Sequence, residues 1–114
     1  MIRRIQVGPR MSQAVAHNGI VHLAGQVAAD TSADVAGQTR QILDAIEALL
    51  AEAGSDKTRI LSATIYLADI GKFAQMNAVW DAWVPAGHTP ARATVEARLA
   101  TPAHTVEIQV IAAC

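Results

Sequence analysis

The 114-residue sequence is poor in aromatic side chains, which make up 4% of it. Four scattered rings offer no stacking series for single-stranded nucleic acid. A net charge of −1, with both signs interspersed, offers no basic stripe for phosphates. Cysteine is almost absent: the single thiol, Cys114, cannot close an internal disulfide. No Cys/His cluster has zinc-site spacing, so neither a metal nor a cofactor is expected. A chain without a disulfide framework is expected in the cytoplasm. No run approaches the ~20 apolar residues of a membrane-spanning helix, and residues 1–9 lack the apolar centre of a secretory signal. Neither a membrane nor a nucleic acid is an expected partner.

What the chain does have is apolar surface in excess. Hydrophobic residues make up 52% and charged residues only 17%, more apolar than a small monomer needs to fill its core. Burial between copies accounts for the surplus, so a homo-oligomer is expected. The length fits one domain over residues 1–114, with no internal repeat, low-complexity tract or linker.

The periodicity changes along the chain. Residues 2–7 read as a first strand closed by Gly8-Pro9. Residues 13–17 and 20–24 read as a hairpin around Asn18-Gly19, a strong two-residue turn signal. Residues 25–34 form a loop of small side chains. From Val35, the apolar positions Ile42, Leu43, Ile46, Leu49 and Leu50 recur at helical steps. Thr31 or Ser32 is expected to cap this helix, and Gly54 to end it. Residues 60–67 are a β-branched strand. Asp69 then caps a second helix that turns Phe73, Met76, Val79, Trp80 and Trp83 inward and stops at Pro85 and Gly87.

Two strands follow with strict alternation, one placing Arg92, Thr94, Glu96 and Arg98 on one face and the next doing the same for Thr105, Glu107 and Gln109. The fold class is α+β, in the order βββαβαββ, with two helices covering one face of the sheet. The bare face needs cover of its own, and clefts between copies are natural places for a site. If the last two strands form a hairpin turning at Thr101-Pro102, Glu107 lies opposite Glu96 with Arg98 diagonal. Arg98 then neutralises one of the two facing carboxylates and is structural along with Glu96. In that register Arg92 lies ~13 Å along the strand from the partner of Glu107, a gap that either the two side chains close around a bound ligand or a neighbouring copy fills by completing the site.

Several motifs taken together resemble one family. They are Pro90-Ala91-Arg92, Val95-Glu96, Arg98-Leu99 and Val106-Glu107-Ile108, with Ala24-Gly25-Gln26 as a weaker match. The central Ala63-Thr64-Ile65-Tyr66-Leu67-Ala68-Asp69 and Met76-Asn77-Ala78-Val79-Trp80 also fit. Over essentially its whole length the chain is similar to the RidA (YjgF) family. Within it, Ala78-Val79-Trp80-Asp81-Ala82-Trp83-Val84 and Ala86-Gly87-His88 are most similar to the YoaB-like branch. The resemblance implies a chorismate-mutase-like fold, a homotrimer with sites between subunits, and cofactor-free hydrolysis of enamines and imines such as 2-aminoacrylate to 2-oxo acids and ammonia. It also implies that Arg92 holds the substrate carboxylate, that Glu107 positions water, and that backbone at Gly25 and Thr94 lines the site. The sequence departs from the family pattern at Met11 (usually tyrosine), Ala24 (serine), Thr94 (cysteine) and Gln109 (glutamate). Met11 and Ala24 would line the site without a hydroxyl, which bears on substrate preference.

The chemistry needs residues of these types. An arginine fork makes two parallel charge-assisted bonds to a planar carboxylate. A carboxylate in hydrogen-bond reach accepts the proton of a water attacking the imine carbon. The same arginine pocket would equally serve a non-catalytic module that binds 2-oxo acids. A ribonuclease reading finds no His pair with a nearby Lys. His17, His22 and His104 read as surface residues, His88 as a loop residue, and Trp80, Trp83 and Tyr66 as packing.

Overall fold

The computed structural model describes residues 1–114. Six strands, β1 (Arg3–Val7), β2 (Ser12–His17), β3 (Ile20–Leu23), β4 (Ile60–Leu67), β5 (Ala91–Glu96) and β6 (Val106–Ala113), form one sheet with two helices, α1 (Val35–Glu52) and α2 (Phe73–Trp83). The β2–β3 turn forms as expected: Asn18 and Gly19 both have positive φ, 52° and 78°, the backbone that matches the twist of a two-residue hairpin.

Helix α1 starts one turn of sequence later than its expected caps. Asp34, not Thr31 or Ser32, accepts the Gly37 N–H at 2.8 Å, while Ser32 is engaged by Asp30. At the other end Gly54 has φ 79°. Its N–H reaches Ala51 O at 3.1 Å and that of Ser55 reaches Leu50 O at 2.8 Å, a Schellman closure that uses two otherwise free carbonyls. Asp69 caps a short 3₁₀ turn, Ile70–Lys72, which leads into α2. In α2, Met76 and Trp80 are buried and Val79 and Trp83 pack at the core margin. Phe73 was expected inward but is 38% exposed, because it opens the helix at the sheet edge.

The strand order β1-β2-β3-β6-β4-β5 overturns the expected C-terminal hairpin. β4 separates β5 from β6, pairing parallel with β5 and antiparallel with β6. A parallel pair needs a crossover rather than a tight turn, and α2 supplies it. β6 fills the place between β3 and β4, so both of its edges are paired. Nine residues, 97–105, carry the chain past the end of β4, where a hairpin would have needed only a few.

Register fixes the faces. Ile65 lies between Ile108 and Thr94, and Ala63 between Val110 and Arg92. Val106, Ile108, Val110 and Ala112 are fully buried against the helices, with Ile42, Leu43, Ile46 and Leu50 opposite. The molecule measures 41 × 37 × 20 Å, and the short dimension is that of two layers, so the second sheet face has no cover of its own. Across that bare face run Arg4, Val15, His22, Ile111 and Ser62 in one row, and Glu107, Tyr66 and Val95 in another.

Candidate active site

Glu107 sits on the bare face near the start of β6, and the chain leaving β3 comes to meet it. His22 pairs with Ile111 and Gln26 with Ile108, so three residues between the two pairs on one strand oppose two on the other. The extra residue makes a bulge, which re-aims the backbone locally. Two hydrogen bonds fix it: Gln26 N–H to Ile108 O at 2.8 Å and Ile108 N–H to Gln26 O at 3.1 Å. The Gln26 side chain donates to Gln13 Oε1 and to Ala24 O, both at 3.0 Å, which ties Ala24 to β2. Gly25 is thereby laid against the Glu107 side chain. A Cβ built on Gly25 would overlap Glu107 Oε2 and stand 3.0 Å from Cδ and 3.3 Å from Cγ. Glycine is needed here for close approach, since any side chain would occupy the seat of the carboxylate.

The cleft around this seat, about 310 Å³, is lined by Gly25, Tyr66, Glu107 and Gln109 together with residues 97–100, Arg98 among them. Arg98 therefore belongs to the Glu107 side of the molecule, not to a neutralising pair with Glu96. It forms no ion pair; the only one in the chain joins Lys57 and Glu47 at 3.5 Å. Glu96 is structural as expected, accepting the Ile70 N–H at 2.9 Å.

Arg92 occupies the other face. It pairs in register with Ala63, three residues along β4 from Tyr66, the partner of Glu107. An odd offset in strands of period two puts Arg92 and Glu107 on opposite faces, with Cα positions roughly 14 Å apart. On the helix side, Arg92 Nη1 donates to Asn77 Oδ1 at 2.8 Å. Its guanidinium lies 5.3 Å from the Trp80 ring centroid and 5.7 Å from that of Phe73. Two rings and one amide fix the plane of the group and leave most of its five donors free. Thr94, two residues on and on the same strand face, has its Oγ1 buried and without a partner.

The residues expected to form a site thus fall into two groups on opposite faces: Gly25 and Glu107, with Ala24 adjoining, and Arg92 with Thr94. Met11 joins neither. It lies 53% exposed in the β1–β2 connection, where its carbonyl accepts the Gly8 N–H. None of the four histidines lines the Glu107 cleft. Asn77 was missed as a site residue, although an amide spaced at helical steps between Phe73 and Trp80 on an apolar stripe is a readable signal. A larger groove of about 760 Å³ between α1 and α2, walled by Arg40, Leu43, Lys57 and Trp83, contains no expected site residue. No group of His, Cys, Asp and Glu side chains is arranged to hold a metal ion, and no helix is long and apolar enough to cross a membrane.

A family model described as Endoribonuclease L-PSP matches residues 1–114. The chain is 47% identical over 112 residues to the RutC family protein YoaB of Escherichia coli K12, covering 98% of this chain and 97% of that one. It is 48% identical over 113 residues to a RutC family protein of Haemophilus ducreyi, covering 99% and 97%. Among solved structures, NMB1025 of Neisseria meningitidis, a member of the YjgF protein family, superposes with a TM-score of 0.97 at 51% identity, covering 99% of this chain and 94% of that one.

Proposed function

The chain belongs to the YjgF/RidA family, in its YoaB-like branch, and from that premise we propose that it hydrolyses reactive enamines and imines, 2-aminoacrylate or related 2-imino acids, to 2-oxo acids and ammonia. The observation that carries the reading is the seat of Glu107 on Gly25: an unpaired carboxylate lies in a small cleft in the space that the missing side chain of Gly25 leaves at a bulge. The bare sheet face and the separation of Arg92 from Glu107 support a site that closes between copies of the chain. In a homotrimer, the Arg92 edge of one copy faces the Glu107 cleft of the next.

The chemistry then follows from positions. The free donors of Arg92 take the substrate carboxylate, with Asn77, Trp80 and Phe73 holding the fork in plane. Backbone groups at Gly25 and Thr94 orient the imine. Glu107 accepts a proton from water as its oxygen bonds to the imine carbon, giving a tetrahedral carbinolamine. That proton passes to the imine nitrogen to complete the carbinolamine, the hydroxyl proton then moves to the amine as C=O forms, and the C–N bond breaks to release ammonia and the 2-oxo acid. An enamine enters as its imine tautomer. The substrate is already unstable in water, so most of the catalysis is positioning. No cofactor takes part. The same composition that argues against a membrane or nucleic-acid partner supports a cytoplasmic enzyme.

The test generates 2-aminoacrylate with a pyridoxal-dependent dehydratase and follows its loss. Faster loss with the protein present, abolished in Arg92→Ala and Glu107→Gln, is expected. Unchanged decay alongside measurable 2-oxo acid binding would overturn the enzyme and leave a non-catalytic module that binds small carboxylates.

A further inference from the structure

We propose that the Tyr66 hydroxyl is a second proton-carrying group of the Glu107 cleft, a catalytic residue that hands protons between oxygen and the substrate nitrogen. The inference rests on the reading of Glu107 as the base of an imine hydrolysis and adds a residue to that site.

Tyr66 and Glu107 are a direct cross-strand pair of β4 and β6, which puts their Cβ atoms ~4.5–5.5 Å apart on one sheet face. Glu107 therefore stands between two walls, Gly25 on the β3 side and Tyr66 on the β4 side, and all three line the same cleft. One carboxylate oxygen, Oε2, lies against Gly25. A phenol reaches further from the sheet than a carboxylate, which leaves room for a water or a substrate nitrogen between the two groups. The Tyr66 hydroxyl hydrogen-bonds no group of the chain and, unlike the hydroxyls of Thr94 and Thr105, it is not a buried orphan.

The backbone under Tyr66 is fixed. β4 is an inner strand, and Tyr66 is in register with Glu107 on one side and Val95 on the other. Its neighbours Ile65 and Leu67 are fully buried, and Leu67 O accepts the Ala97 N–H at 2.9 Å. Those two residues fill the core. The phenol lies on the opposite face, carried on a strand and so held more precisely than a group on a loop.

The hydrolysis needs a proton at nitrogen twice, once as water adds and again as the amine leaves. In the cleft Arg98 is permanently protonated and Gln109 does not titrate, so Glu107 and Tyr66 are the side chains there that can both give and take a proton. Direct transfer between a hydroxyl and an amine on one carbon closes a strained small ring, and a phenol bridging the two avoids it. In the addition, the water oxygen bonds to the imine carbon and its proton goes to Glu107. Tyr66 gives its own proton to nitrogen and takes the one Glu107 holds. In the collapse, Tyr66 gives its proton to the amine and takes that of the hydroxyl as C=O forms and the C–N bond breaks. Phenol and carboxylate end as they began, with one water consumed and one ammonia released.

The experiment follows hydrolysis of 2-iminobutanoate, generated in place by an amino-acid oxidase, with wild type, Tyr66→Phe, Tyr66→Leu and Glu107→Gln. Binding of 2-oxobutanoate is measured by calorimetry. Phenylalanine keeps the ring and its packing and removes only the hydroxyl. Since a positioned acid or base contributes ~10²–10⁴-fold, kcat in Tyr66→Phe is expected to fall about 100-fold, with KM and the Kd for 2-oxobutanoate within about twofold of wild type. Tyr66→Leu should lose kcat to the same extent, because it lacks the same hydroxyl. Wild-type kcat in Tyr66→Phe, a loss confined to KM, or a kcat loss in Tyr66→Leu that Tyr66→Phe does not share would each overturn the proposal. With Glu107→Gln inactive, any of those results leaves the deaminase reading intact. If wild type hydrolyses no imine, both fall.

Discussion

Replacing Gly25 with alanine tests whether the carboxylate seat is the working part of the site. The new methyl would meet Glu107 Oε2 head-on, with Cδ at 3.0 Å and Cγ at 3.3 Å, inside the ~3.5–4.0 Å of an unstrained carbon contact. The backbone at Gly25 does not require φ > 0, so the cost is steric and falls on the flexible Glu107 side chain. An off-rotamer adjustment of that chain costs about 0.5–1.5 kcal/mol, a fall in Tm of about 4–8 °C per kcal/mol for a domain of this size. The carboxylate must retreat by roughly 1 Å, and a misplacement of that size costs on the order of 100-fold in rate. The variant should therefore stay folded by circular dichroism and lose about two orders of magnitude in imine hydrolysis, or about 2.7 kcal/mol of barrier. A double-mutant cycle with Glu107→Ala isolates the cause. The stability cost of Gly25→Ala should vanish once the Glu107 side chain is gone. Wild-type turnover in Gly25→Ala, or a stability cost that survives in the Glu107→Ala background, would refute the reasoning.

Other perturbations separate the two groups and the scaffold. Asn77→Ala removes the acceptor that fixes Arg92 at 2.8 Å. A hydrogen bond to a charged group is worth about 1.5–3 kcal/mol, so KM should rise about 10-fold or more with a smaller change in kcat, measured by steady-state kinetics. Gln38→Leu strands the Thr105 N–H and the carbonyls of Thr31, Ala33 and Ala103; a loss of about 3–5 kcal/mol in urea denaturation is expected. Val95→Arg puts a charge on the bare sheet face, where Val95 is 42% exposed, and should break the proposed trimer, read as a shift toward monomer in size-exclusion chromatography. Asp30 and Asp56 have carboxyls held below their ordinary 3.8 by hydrogen bonds from the side chains and backbones of Ser32 and Thr58 respectively. A lowered folded value gives stability that is present above 3.8 and lost as pH falls through the folded value. The double variant Asp30→Asn/Asp56→Asn should accordingly lose less stability than wild type in acid titrations below pH ~4.

Much of the architecture was legible because it is local. Asn18-Gly19 specifies its own turn, since two adjacent residues that tolerate positive φ need no help from the rest of the chain. Ile42, Leu43, Ile46, Leu49 and Leu50 declare a buried stripe by spacing alone, and all five are buried. The cap of α1 was misplaced by a few residues because Thr31, Ser32 and Asp34 can all serve, and which one does depends on where Gln38 pins the loop through Thr31 O and Ala33 O.

The C-terminal strands mark where local reading stops. Alternation correctly put Arg92, Thr94 and Glu96 together on one face and Glu107 and Gln109 together on another. It could not say how those two faces relate, because alternation has no knowledge of which strand lies between. β4, some forty residues earlier than β6, intrudes and pairs with both neighbours. By itself, then, the sequence determined the elements, the turn residues and the chemical types available to a site, all properties of spacing within a few residues. Only the tertiary structure decided that Arg98 shares a cleft with Glu107, that Gly25 is its seat, and that Arg92 looks the other way, because strand order and register arise from packing between segments distant in the chain.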